Sequence, residues 1–193
     1  MTNKLADAHI ELLLRLSVTR TLCPGAASEF SLADIAAAAR EHPEYALEYA
    51  AQHLSPKSLA LATTYSPDCA LRFAAQHLSP ESLAAAAIAE PKYALEYAAQ
   101  HLSPESLALA TTYSPYFALR FAAQHLSAEL LAETAMVLPS LALQYAAQHL
   151  SAESLSAAAT AEPRAAKKYL TPELLQQVQS VFVSAKKQRK PGM

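Results

Sequence analysis

Glycine is almost missing from this chain: 193 residues contain two, Gly25 and Gly192. Neither lies in the long regular middle of the sequence, so glycine-rich phosphate loops and dinucleotide fingerprints are excluded. Cysteine is equally scarce. Cys23 and Cys69 stand far apart, which speaks against a disulfide framework and against a metal cluster. No apolar run approaches 18 residues without a charge, so no membrane span is expected. A strong charge balance is absent as well. Fifteen basic against 17 acidic residues leave a net charge of -2, which gives no general attraction to nucleic acid. The opening stretch MTNKLADAHIELLLRLSVTRTL has acidic residues inside its apolar part and no clear cleavage site. It reads as a helix and not as a secretory signal.

What the chain has instead is alanine and leucine, within an apolar content of 52%. That is the composition of a helical protein. It also has a rhythm. AAQHLS occurs five times, and Tyr49, Phe73, Tyr97, Phe121 and Tyr145 follow one another at intervals of 24 residues. A fixed period of this size signals a solenoid, in which each repeat buries its apolar face on the next. Each period accommodates two short helices. The first starts at Ser55-Pro56, Ser79-Pro80, Ser103-Pro104, Ser127-Ala128 and Ser151-Ala152. Serine is a good N-cap, and proline at the first helical position loses no hydrogen bond. Leu59, Leu83, Leu107, Leu131 and Leu155 hold one core position in these helices. A proline opens the second helix at Pro43, Pro67, Pro91, Pro115, Pro139 and Pro163. Within it, Leu47, Ala50, Ala51 and Leu54 have the spacing of a buried stripe, flanked by Ala46, Tyr49 and His53. Glu48 and Gln52 fall on the opposite, solvated side.

The array reaches upstream, because Ser31, Ile35 and Pro43 align with Ser55, Leu59 and Pro67 one period later. The predicted organisation is a capping helix and loop over 1–30, an all-α solenoid of roughly six helical pairs over 31–170, a closing helix over 171–185 and a flexible basic tail over 186–193. Atypical end units are needed to cover the exposed core of such a stack. A longer rhythm is also present. Glu48, Arg72, Glu96, Arg120 and Gln144 share one position, and ALATTYSP recurs 48 residues apart. Opposite charges on neighbouring repeats are therefore expected to pair along the surface, each pair contributing about 0–1 kcal/mol.

The ALxYA core with its 24-residue period resembles a bacterial and protist helical repeat domain of unknown function, whose units read roughly ALxYAS. The match covers about residues 31–170. The pattern is more loosely similar to the leucine-rich repeat variant family, which shares the period. That likeness implies a right-handed superhelix of short helices. Some members of the family carry an N-terminal iron–sulfur cluster held by several cysteines; Cys23 alone does not reproduce it. Neither resemblance implies a reaction.

Two polar rows invite a functional reading. His53, His77, His101, His125 and His149 lie in the last turn of their helices, four residues after an aromatic. A structural role follows from stacking on that ring and from the helix C-terminus. The alternative is a row binding metal, phosphate or an acidic peptide. A shared zinc site is disfavoured, since zinc needs ligands at about 2.0–2.1 Å and side chains on helices about 8–10 Å apart converge poorly. Gln52, Gln76, Gln100, Gln124 and Gln148 stay glutamine while their neighbours vary. Hydrogen bonding between repeats accounts for this, and so does recognition of an extended partner, because amide and imidazole side chains both donate and accept.

The candidate partner-binding strip is Glu48, Gln52, Arg72, Gln76, Glu96, Gln100, Arg120, Gln124 and Gln148, with Gln144 at its neutral end. Tyr65, Tyr113 and Tyr116 are expected as core or inter-helix fillers, and the Lys186–Lys190 run as a solvated tail. No Ser–His–acid or Cys–His arrangement is present, so no catalytic residue and no cofactor is expected. The function expected is a non-enzymatic protein-interaction module with a protein or peptide ligand. Two alternatives are an effector that binds a host target and a solenoid that binds nucleic acid, the latter opposed by the charge. The expected location is cytoplasmic, or a host cell reached by specialised secretion.

Overall fold

The structure, a computed structural model, describes residues 32–188. The expected helix over 3–21, the loop after it, the Ser31 cap and the tail from Arg189 onward lie outside the described residues. Among the described residues every regular element is helical. Helices follow one another in tandem with the expected alternation. The leading helices are Leu32–Glu41, Pro56–Tyr65, Pro80–Ala89, Pro104–Tyr113, Ala128–Val137 and Ala152–Ala161.

The starts of these helices follow from side-chain chemistry. Ser55, Ser79, Ser127 and Ser151 have extended backbones, and their hydroxyls accept from the N–H three residues on, at 3.1–3.2 Å. Ser103 makes the same bond to Ser106 at 3.2 Å. One orphan donor of each helix is thereby satisfied. The helices end one residue before a proline. Ser66, Glu90, Ser114, Leu138 and Glu162 have φ between -130° and -141° and ψ between 61° and 71°. Proline disfavours the α region for the residue before it, so a single residue makes the corner. Ala128–Val137 and Pro139–His149 meet there at a bend of 119°. No described residue has positive φ, which is how the repeats turn without glycine.

The trailing segment is not the regular helix that the spacing predicts. After one α-turn, Ala70–Ala74, Ala94–Ala98, Ala118–Ala122 and Ala142–Ala146 form wide π-turns. Each is followed by a tight 3₁₀ turn over AQH, such as Ala75–His77. Pro43–Tyr49 stays α-helical before its own 3₁₀ turn, and Pro163–Tyr169, which has no AAQH, is α-helical throughout. The alanines at the wide turn are fully buried: Ala70, Ala74, Ala94, Ala98, Ala118 and Ala122 all have 0% exposure.

Packing divides the described chain into two compact units, separated between Ser106 and Leu107. In the first, Pro56–Tyr65 packs on Pro80–Ala89 and Ala70–Ala74 packs on Ala94–Ala98. In the second, Ala128–Val137 packs on Ala152–Ala161 and Ala118–Ala122 on Ala142–Ala146. Pro172–Gln188 lies along Ala152–Ala161 and buries Val178 in that core. This last helix continues through Lys186 and Lys187 to Gln188, past the expected end at 185. The predicted stripe of Leu47, Ala50, Ala51 and Leu54 is buried. Ala46, placed beside the stripe by spacing, is fully buried too. Buried Thr63 and Thr111 satisfy their hydroxyls on the carbonyls of Leu59 and Leu107, both at 2.8 Å.

Leu119→Ala should cost about 2–5 kcal/mol, as a fully buried leucine does, and Ser127→Ala about 1 kcal/mol, as a lost cap does. Urea denaturation measures both. Equal small effects would contradict this core and cap assignment.

Acid sensitivity follows from the helix starts. Bonds from their own backbone N–H groups, then from the hydroxyls of Ser79, Ser103 and Thr171, hold the carboxyls of Glu81, Glu105 and Glu173 below the usual glutamate range. A lowered folded pKa contributes stability above the unfolded value, and this is lost as the pH falls through the folded one. Replacing all three with glutamine should therefore flatten the fall of Tm in that window, measured by thermal melts.

Candidate functional site

The tight 3₁₀ turn sets the direction of the AQH side chains. It has three residues per turn where an α-turn has 3.6, so a residue four places on no longer stands above the first. The expected stacking of Tyr49 on His53 and of Phe73 on His77 is accordingly not made among the described residues, whether an α-turn precedes the tight turn, as at Tyr49, or a wide one, as at Phe73. The aromatics stack backwards on the preceding ring: Tyr49 on Tyr45 at 6.2 Å, Tyr97 on Tyr93 at 6.1 Å and Phe121 on Phe117 at 5.8 Å.

Each histidine instead bonds its neighbouring glutamine. Nε2 of Gln52, Gln76, Gln100, Gln124 and Gln148 lies 2.9, 3.2, 3.2, 3.1 and 3.2 Å from Nε2 of His53, His77, His101, His125 and His149. The contacting amide atom is a nitrogen, which can only donate, so this contact requires an imidazole that accepts at Nε2, the Nδ1–H tautomer. The two polar rows are thus one set of rungs. The bond lies within each repeat, not between repeats. All five glutamines are exposed, as are four of the histidines, and His53 is half-buried.

In the first unit the rungs line two equivalent open grooves. One, of about 350 Å³, has Gln52 on one wall and His77 on the other. The next, of about 420 Å³, has Gln76 and His101 in the same places. Their floors are Ala51, Leu54 and Leu59, and one period on Ala75, Leu78 and Leu83. No charged side chain lines either groove.

The charged members of the predicted strip sit elsewhere. Arg72 lies over Phe73 at 4.9 Å and over Tyr97 of the next repeat at 5.6 Å. Arg120 does the same over Phe121 at 4.8 Å and Tyr145 at 5.6 Å, and donates to the Tyr116 hydroxyl. The expected surface pairing of Arg72 with Glu48 or Glu96 is not formed among the described residues. Aromatic faces of its own and the next repeat take the guanidinium instead. Arginine two repeats apart thus belongs with tyrosine in the following repeat, which gives the 48-residue rhythm a packing basis. Glu48 and Glu96 adjoin Tyr49 and Tyr97 and raise the pKa of those hydroxyls, chiefly through hydrogen bonding.

Tyr116 packs against Phe117 and Tyr145, as an inter-helix filler does. Tyr65 and Tyr113 do not: they are 63% and 64% exposed. With Leu61 and Ile88 in the first unit, and with Leu109, Met136 and Val137 in the second, they leave apolar surface on the leading helices. The sequence held a signal for this. Thr63 and Leu61 cannot both face the core, and the buried threonine leaves the leucine outside.

The cap serines bond to backbone N–H groups and to serine hydroxyls, and the repeat histidines bond to glutamine. Burial, and after it Asp68, pushes the Cys69 thiol up, away from the reactive thiolate. Among the described residues no three His, Cys, Asp or Glu side chains group as metal ligands. No single described helix is long and apolar enough to cross a membrane. No protein-family model matches this chain, and neither a curated protein nor a solved structure does.

Arg72→Gln should cost about 1 kcal/mol through lost ring contacts. A double-mutant cycle with Glu48→Gln, whose carboxylate adjoins Tyr49 and not a ring that Arg72 covers, should show no coupling; coupling above about 0.5 kcal/mol would restore the ion-pair account.

Proposed function

We propose that the chain is a non-enzymatic protein-interaction module, built as a right-handed α-solenoid that receives an extended polypeptide along its Gln–His rungs. One observation carries the reading: the same amide–imidazole pair recurs in five successive repeats with its glutamine exposed each time, and in the first unit it lines the same groove twice. A polypeptide backbone repeats its donors and acceptors in the same manner. The 24-residue period and the ALxYA resemblance support the solenoid. Exposed Tyr65, Ile88, Tyr113 and Met136 support a protein partner, since apolar patches mark such contacts. The two arginines of the strip are engaged on aromatic rings, which speaks against a phosphate backbone as ligand.

Screening the full chain against a display library of unstructured peptides tests this. Binders should emerge, and changing Gln52, Gln76 and Gln100 together to Glu should weaken them at least tenfold with helicity and Tm unchanged. Absence of any binder, or binders indifferent to the triple change, would refute the reading.

A further inference from the structure

Three properties of the first-unit grooves narrow the occupant, given the interaction reading on which this step rests. The first is charge. The walls and floors carry amide, imidazole, hydroxyl and apolar groups and no ion, so an ionic ligand side chain would lose water without meeting an opposite charge. The second is hydrogen-bonding balance. With one amide N–H held by the imidazole, each rung keeps a second amide N–H, the Nδ1–H and the amide carbonyl open to solvent. Two donors to one acceptor suit a chain richer in carbonyls than in N–H groups, which is what proline provides. The third is pitch. Packed helices lie about 8–10 Å apart. A polyproline II helix turns once in three residues of 3.1 Å rise, about 9 Å, and its backbone is unpaired. A β-strand returns to the same face after about 6.6–6.8 Å and falls out of step within two rungs.

We infer that the grooves at Gln52–His77 and Gln76–His101 hold an uncharged, proline-rich segment in the polyproline II conformation, one turn per repeat. Each Gln–His bond fixes the amide before binding, so the ligand's carbonyl meets a donor already in place. Pro56 and Pro80 in the groove walls add apolar surface for the ligand's pyrrolidine rings.

Acetylated and amidated oligoprolines of every length from three to twelve residues, titrated calorimetrically into the full chain, test the assignment. Affinity should rise in steps of three residues up to nine, which spans three rungs. A Gly–Ser peptide of nine residues should bind at least about tenfold more weakly. Gln76→Ala should weaken the nine-residue oligoproline about fivefold, as one lost hydrogen bond does, with Tm unchanged. Ile88→Ala, outside the grooves, should leave affinity unchanged. Oligoproline binding no tighter than Gly–Ser, a smooth length dependence or an indifferent Gln76→Ala would each overturn the inference. If proline-free library peptides bind at the rungs while oligoprolines do not, this inference falls and the interaction reading stands. If nothing binds, both fall.

Discussion

The tight 3₁₀ turn over AQH, present in all five AAQHLS repeats, is the constraint on which the rest depends. In four of them a wide turn precedes it, and the alanines at its two ends, such as Ala70 and Ala74, are fully buried, so no bulky group there resists the close approach of the neighbouring segment. The 3₁₀ turn shifts everything after it. It ends in an extended leucine, such as Leu78 or Leu102. The next serine then caps the next leading helix. Were AQH to continue as ordinary α-turns, histidine would lie over the aromatic four residues before it.

The same shift sorts the surface into two chemistries. Before the 3₁₀ turn, arginine, glutamate and the aromatics form a row in which guanidinium groups rest on rings. Within it, glutamine and histidine bond each other and, in the first unit, line uncharged grooves. The first row fastens repeat to repeat, since Arg72 reaches Tyr97 and Arg120 reaches Tyr145. The second keeps the donors and the acceptor that the proposed ligand would use. On that proposal, fastening and recognition occupy neighbouring but separate positions of one short motif, in which AAQHLS stays fixed while the position of Glu48 and Arg72 alternates.

Much of this was legible in the residues, because it rests on local chemistry. Serine before proline specifies a capped helix start, and proline specifies the corner before it. Leu47 and Leu54 at helical spacing specify the buried side. What escaped depends on backbone geometry that no single residue encodes. The 3₁₀ turn over AQH has no signature in residue type, so the Tyr49–His53 stack was expected and the Gln52–His53 bond was not. Opposite charges one period apart read as ion pairs until the ring of Tyr97 is seen under Arg72. Tyr65 reads as core by residue type, yet Thr63 takes the buried place by bonding its own helix and turns the ring outward.

The rungs themselves are directly observable. Long-range ¹H–¹⁵N correlation spectra of the full chain report which imidazole nitrogen carries the proton at a pH where the rings are neutral. The account predicts the Nδ1–H tautomer at His53, His77, His101, His125 and His149, with Nε2 accepting from the glutamine amide. A Nε2–H tautomer in these repeats, unchanged when Gln76 or Gln100 is replaced by alanine, would contradict it.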